Sequence, residues 1–278
     1  MVSLDAAAVL SEYDAQVRRG LYSDGSGGLG ERAGPVIRWS MVGGEGWSGV
    51  AWSDLGAGTA DAVIAEQVAY FAGLGEQFEW KTYSYDQPPD LGERLLAAGF
   101  VAEDAEALMV ADAGQIAGHD GGGGALPDGV RRVPVTDEAG IELMIEVSDR
   151  VFGPDPQLRH SLLGHLRRSP EFMVLVLAMA GDTPVCSARV SFDSTDFAGL
   201  WGGGTLPEWR GRGIYRAMVG YRARLTVPRG YRYLQVDASP MSRPILERLG
   251  FTCLAMTTPY VWSPSWEAVD LPGRAAEQ

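Results

Sequence analysis

At 278 residues, 46% of them hydrophobic and 21% charged, the chain is long enough for one large domain or two ordinary ones and apolar enough to bury real cores. A formal net charge of −13 and a pI near 4.7 argue against non-specific binding to nucleic acid or to an anionic membrane. Cys186 and Cys253 lie in strand-like apolar runs and read as buried thiols of a reducing cytoplasm, and with His119, His160 and His165 they form no four-ligand metal pattern.

In chain order, residues 4–19 have helical composition, with Ser3 or Asp5 as N-cap and Gly20 as stop. The stretch 23–34 reads as a loop, and Pro35–Met41 and Trp47–Leu55 as a hairpin joined by GGEG. Thr59 caps a helix to Leu74 with Val63, Ile64, Val68 and Phe71 along one stripe. Phe78–Tyr85 alternates as a strand, Pro89–Ala98 is a short helix closed by Gly99, and Phe100–Ala111 returns as a strand. No run approaches the roughly 20 apolar residues that span a bilayer, and the N-terminal MVSLDAAAVL has no basic region before an apolar core, so no membrane association is expected.

A glycine-rich linker, 117–127, divides two expected domains, 1–116 and 128–278. The second opens with a strand at Gly129–Val135 and a helix at Asp137–Val147, followed by a polar stretch and a helix near 157–168. Strands follow at Phe172–Met179, Val185–Phe192 and Ala198–Leu206, then a helix at Gly213–Val227 with Ile214, Met218, Tyr221 and Leu225 on one stripe. Tyr231–Asp237 is a strand, Met241–Arg248 a helix stopped by Gly250, and Phe251–Trp262 a final strand. The halves repeat: Asp86, Pro89, Leu95, Gly99 and Phe100 recur 151 residues later as Asp237, Pro240, Leu246, Gly250 and Phe251.

Between Trp209 and Val236 stand seven arginines and no acidic residue, a local inversion of charge. Arg212 and Arg216 fall at a helix N-terminus, where the macrodipole disfavours cations unless an anion joins them, and Gly211 and Gly213 let a ligand approach the free amides. The pattern is a phosphate or pyrophosphate cradle. The first half has only Gly56–Thr59 at the matching place, without arginines, so one anion per chain is expected.

The run PEWRGRGIYRA, a helix, a strand and SRPILERLGF together resemble the GNAT acetyltransferase superfamily over about residues 128–265. The family's loop, Q/R-x-x-G-x-G/A, falls on Glu208–Gly213 with both glycines present and Glu208 departing from it. In the later signature Gly250 and Phe251 match, Ser239 stands for an asparagine and Leu246 for a tyrosine. The resemblance implies an α/β (α+β) fold of two tandem GNAT-like domains, each a mixed, mostly antiparallel sheet flanked by helices, the N-terminal copy being degenerate. It also implies acetyl-coenzyme A or another acyl-coenzyme A as co-substrate. Thr205 and Leu206 would meet the pantetheine arm, and the amides from Gly211 through Ile214 to Tyr215 the pyrophosphate. Arg210, Arg212 and Arg216 would add charge, and Ser239 would belong to the same cofactor site.

The implied reaction is acyl transfer to an amine, small-molecule or peptide, which needs a base, an oxyanion site and an acid for the leaving thiolate. Leu246 cannot donate a proton, so Tyr260 or Tyr215 is expected to substitute, or the thiolate leaves unaided. Asp237 is the candidate base, with an Asx cap of the next helix as its structural alternative. His160 and His165 fall in the region expected to cover the acceptor, where a solvated helix position is the plainer reading. A coenzyme A-binding module without turnover is the competing function, no metal is expected, and a homodimer is left open because the tandem copy could serve as the partner.

Overall fold

The computed structural model describes residues 4–22, 28–41, 47–118, 125–193 and 195–264. Helix α1 (Ala6–Tyr13) starts where the Asp5 carboxylate accepts the Ala8 amide, and continues through a π-helical turn to Arg18. Strands β1 (Leu29–Ala33), β2 (Val36–Ser40) and β3 (Gly49–Ser53) lead to α2 (Ala60–Leu74), β4 (Phe78–Tyr83), α3 (Leu91–Ala97), β5 (Val101–Ala102), β6 (Glu106–Asp112) and α4 (Ala113–Gly118). The second half runs β7 (Val130–Val135), α5 (Glu138–Phe152), α6 (Leu158–Arg168), β8 (Met173–Ala180), β9 (Thr183–Phe192), β10 (Phe197–Thr205), α7 (Ile214–Thr226), β11 (Tyr233–Ala238), α8 (Arg243–Leu249) and β12 (Thr252–Trp262).

Three differences from the sequence reading stand out. The end of the expected loop 23–34 forms β1, an edge strand held by backbone pairing to β2, so it needs no apolar alternation to exist. The expected strand 100–111 is broken into β5 and β6, and α4 follows without a periodic signature. Helix α7 buries more than its predicted stripe: Ile214 and Met218 are buried, Tyr221 and Leu225 only half-buried, and Val219 and Ala223 add a second buried side. Residues 43–46 of the hairpin, 119–124 of the linker, and Ser3 lie outside the described residues.

The strands join into one sheet in the order β1-β2-β3-β4-β12-β6-β11-β10-β9-β8-β7, with β5 added on β12. The last strand of each half sits beside the other half: β12 pairs with β4, and β6 with β11, all antiparallel. β6 and β12 also pair with each other, Thr252 opposite Val110 and Thr257 opposite Glu106. Among the described residues only β3–β4 and β10–β11 are parallel. Helices cover both faces: α7 and α8 bury Val219, Ala223, Leu246 and Leu249 against Leu234, Val236 and Ala198, while α5 and α6 bury Ile141, Met144 and Leu162 against Leu175 and Leu177. Among the described residues no helix is long and apolar enough to cross a membrane.

The repeat is exact in the short helices and shifted in the strands before them. Leu95 and Leu246 are fully buried, Gly99 and Gly250 close their helices with left-handed φ of 91° and 101°, and the amides of Phe100 and Phe251 return to Leu95 and Leu246. Asp86 and Asp237, matched by sequence, are not equivalent. Asp86 lies beyond β4 and binds Arg18 through both carboxylate oxygens at 2.9 Å, whereas Asp237 is within β11. By register, Lys81 faces Pro259 and Asp237 faces Leu108, and Pro259 and Leu108 are themselves 151 apart. Lys81, the sole lysine, is therefore the counterpart of Asp237, and the two meet near the local two-fold at 2.5 Å.

Both side chains of this pair are largely buried, with Lys81 16% and Asp237 6% exposed. Burial works against the Lys81 charge, but Asp237 and then Glu79 and Tyr13 hold it, so its pKa stays above the ordinary value. Lys81→Met or Asp237→Leu alone leaves a buried charge unpaired and is expected to cost about 3–5 kcal/mol in urea unfolding, most of it recovered in the double variant. Single changes costing under about 1 kcal/mol would place the pair among marginal surface bridges instead.

Candidate functional site

β10 and β11 pair only over Phe197–Gly199 and Tyr233–Gln235 and then diverge. Past that point β10 keeps β9 on its outer side and β11 keeps β6, so their facing backbone edges have no strand partner. β10 also bulges between Trp201 and Gly204, with Gly202 at a left-handed φ of 53°. The chain then turns through Pro207–Trp209 into the loop and α7.

Gly211 and Gly213 have φ of 74° and 80°, which an L side chain adopts only under strain. A Cβ at Gly211 would meet nothing within 4 Å, so the glycine is required by backbone conformation and the space above it is open. The first helical bond of α7 runs from the Ala217 amide to the Gly213 carbonyl, which leaves the amides of Ile214, Tyr215 and Arg216 free for an anion. Arg210 is steered by a bond from Nε to the Thr205 carbonyl at 3.2 Å, and Arg212 lies over the Trp209 ring at 4.6 Å. Glu208, the departure from the expected motif, points away to Arg150 at 2.7 Å. A cleft of about 290 Å³ runs from Thr205, Gly211 and Gly213 past Tyr215 and Arg216 to Met241, Ile245 and Arg248 of the α8 segment.

The predicted cofactor residues separate on these facts. Thr205, Arg210, Gly211, Gly213, Ile214, Tyr215 and Arg216 line the cleft. Arg212 is exposed beside it, its Nη2 on the Glu208 carbonyl. Leu206 does not offer its backbone: its amide is spent on the Val185 carbonyl and its carbonyl on the Trp209 amide. Ser239 is exposed and its Oγ accepts the Ser242 amide, forming the turn into α8.

The first half has the same divergence, between β3 and β4 after Val50 and Trp80, but closes it from within. The Thr59 and Ala60 amides both bond the Gly56 carbonyl, and the Thr59 hydroxyl takes the Gly56 amide. Arg18 bridges the diverging strands, bonding the Ala51 carbonyl, Asp86 and the Tyr85 hydroxyl, with its guanidinium 3.8 Å from the centre of the Tyr83 ring.

The two catalytic candidates do not come together. Tyr260 packs with Phe78 and Trp80 in the first half's core, its hydroxyl against Gly92, on the face of β12 opposite to Pro259 and Lys81. Asp237 neither caps α8 nor stands free: Oδ2 bonds Lys81, and Oδ1 is buried without a hydrogen bond. Leu246 is fully buried among Leu234, Val236 and Phe251. Tyr215 is the phenol at the cleft, its ring edge 3.2 Å from where a Gly203 Cβ would be and its hydroxyl facing Ser242. Burial raises its pKa, keeping it protonated. His160 is exposed and His165 half-buried on α6.

Residues that sequence reasoning missed cluster around Asp237 on the α5 side of the central strands. Glu79, Lys81, Glu106 and Asp237 act on one another electrostatically. Nearby, a cavity of about 350 Å³ is lined by Trp47, Glu76, Glu79 and Glu103, with Gln157 from the α5–α6 connection. The uniqueness of Lys81 was the one available signal.

No family model and no curated protein matches the chain. Solved structures do. A GCN5-related N-acetyltransferase from Kribbella flavida superposes with a TM-score of 0.66 at 16% identity, covering 95% of this chain and 97% of that one. A functionally unknown conserved protein from Staphylococcus epidermidis gives 0.62 at 13%, covering 86% and 95%. A tandem GNAT protein from the clavulanic acid biosynthesis pathway gives 0.54 at 15%, covering 82% and 78%. The chain has the fold of these proteins, a GCN5-related N-acetyltransferase and a tandem GNAT protein among them.

Burial pushes the Glu106 carboxyl up to about 7, Asp237 adding to the effect and Lys81 opposing it. A raised folded-state pKa means that the stabilising proton is fully present below the ordinary 4.5 and lost as the pH rises through about 7. Glu106→Gln is expected to abolish that loss, so its stability advantage over the wild type, measured by urea unfolding, grows from about pH 5 to about pH 8. An advantage independent of pH would contradict this.

Proposed function

We propose that the second half, residues 128–278, is an acyl-coenzyme A-dependent N-acyltransferase with one site per chain, taking acetyl-coenzyme A and an amine. The observation that carries the reading is the open divergence of β10 and β11, continued by a loop of two left-handed glycines, three arginines and the free amides of α7. These groups suit the long donor: Gly211 to Arg216 with Arg210 and Arg212 for the pyrophosphate, and the bulged edge of β10 for the pantetheine. Bound there, acetyl-coenzyme A supplies an activated acyl group. The N-terminal half contributes strand β6 beside β11 and keeps no second site, because Arg18 and the Gly56–Thr59 turn occupy its own divergence.

Within this reading the Tyr215 hydroxyl gives its proton to the departing sulfur, taking the part that Leu246 cannot play. Its raised pKa favours a neutral phenol until that moment. A buried Leu246 favours a second reading, coenzyme A binding without turnover. Calorimetry with acetyl-coenzyme A is expected to show one site per chain, weakened at least about tenfold in a Gly211→Val/Gly213→Val variant whose fold is checked by circular dichroism. No binding by the wild type would sink both readings. Tyr215→Phe is expected to keep that affinity and to lower kcat about a hundredfold with an accepted amine. Binding with no transfer across an amine panel would favour the second reading.

A further inference from the structure

We propose that Arg189 anchors a carboxylate of the acceptor, so that the amine acylated here belongs to a carboxylate-bearing compound such as a free amino acid. The inference rests on the acyltransferase reading of the β10–β11 divergence and adds its substrate class.

Arg189 lies on β9, opposite Trp201 of β10 and Leu175 of β8, and Leu175 belongs to the core beneath α5. Its side chain therefore rises on the α5 side of the sheet and reaches the bulge, with Nη1 3.1 Å from the place a Gly202 Cβ would take. Trp201 beside it is fixed by a 2.9 Å bond from its indole nitrogen to the Ser191 hydroxyl. From the opposite face the fully buried Arg222 bonds the Met218 and Arg189 carbonyls at 3.2 and 3.0 Å, and its Nη2 lies 3.3 Å from a Gly203 Cβ position. Two guanidinium groups thus flank Gly202 and Gly203, where β10 has left β11.

Among the described residues three arginines are more deeply buried than half-buried Arg189: Arg222 is held by main-chain carbonyls, and the other two are neutralised. Arg18 is paired with Asp14 and Asp86, and Arg38 with Glu31. The Arg189 guanidinium has no hydrogen bond or ion pair among the described residues. The one carboxylate acting on it is exposed Asp155, after α5, which does not close to an ion pair. Burial, with Arg222 adding to it, pulls its pKa down to about 10. A charge so placed is costly unless a ligand repays it. The ligand is an anion, and a planar guanidinium beside an indole suits a carboxylate, which can take two parallel bonds. The source is the acceptor rather than the acyl group because Arg189 stands on the α5 side, while the cleft for the donor is lined by Ile214, Tyr215, Met241, Ile245 and Arg248 of the α7 and α8 segments.

The test compares the twenty amino acids with their carboxamides on the full-length protein. Thermal shift with coenzyme A present reads binding, and transfer from acetyl-coenzyme A reads turnover. At least one amino acid is expected to outperform its carboxamide about tenfold or more, and Arg189→Gln to collapse that ratio. Acetyl-coenzyme A calorimetry on both proteins reports separately on the donor cleft, so its failure is distinguishable from failure of the acceptor inference. Carboxamides equal to acids, no amino acid bound, or a preference unchanged in Arg189→Gln would overturn the proposal. So would Arg189-dependent tightening by succinyl-coenzyme A relative to acetyl-coenzyme A, which would put the carboxylate on the acyl group.

Discussion

Backbone amides and carbonyls must be paired, and two parallel strands that part company leave a row of them open at the middle of a sheet. That constraint organises this molecule. After Gly199 and Gln235 the facing edges of β10 and β11 lose each other, and whatever enters the gap must supply an extended partner and a charge suited to the helix N-terminus at its end. The same gap opens between β3 and β4, where the chain supplies its own occupant in Arg18 and its own turn at Gly56–Thr59. The two halves thus solve one problem differently, one internally and the other by presenting a cradle.

The exchange of β6 and β12 makes the halves inseparable. Each closes the other's sheet, and the seam carries a buried Lys81–Asp237 pair in place of an apolar contact. Tyr13 of the N-terminal helix reaches across this seam to Tyr83 and to Gln235, and Gln16 reaches Asp196, so the first half's helix packs on strands of both. The first half therefore has a physical part at the second divergence: it supplies the strand against which β11 is held.

Much of the fold was legible because its signals are local. Apolar periodicity, Gly99 and Gly250 as helix stops, and the Leu-x-x-x-Gly-Phe repeat fix positions within a few residues of themselves. The loop was legible for the same reason, since Gly211, Gly213 and their arginines are consecutive. Strand exchange was not, because nothing in β6 or β12 distinguishes a neighbour in its own half from one in the other. The false match of Asp86 with Asp237 has the same origin: alignment follows the helices, whereas the strands before them carry a different register, and only the ladder identifies Lys81 as the counterpart. Tyr260 misled because residue type says nothing about which face of a strand it takes. Arg189 was invisible as a site because an arginine is informative only when its surroundings lack a carboxylate.

Two kinds of group are left unpaired at the second divergence, the loop amides on the α7 face and the Arg189 guanidinium on the α5 face. The central claim is that only the second divergence receives the donor, and hydrogen exchange on the full chain with and without acetyl-coenzyme A tests it most directly. Protection of peptides covering 200–216, with no change over 49–60, is the result this account predicts. Protection over 49–60, or none at 200–216 under saturating ligand, would contradict it.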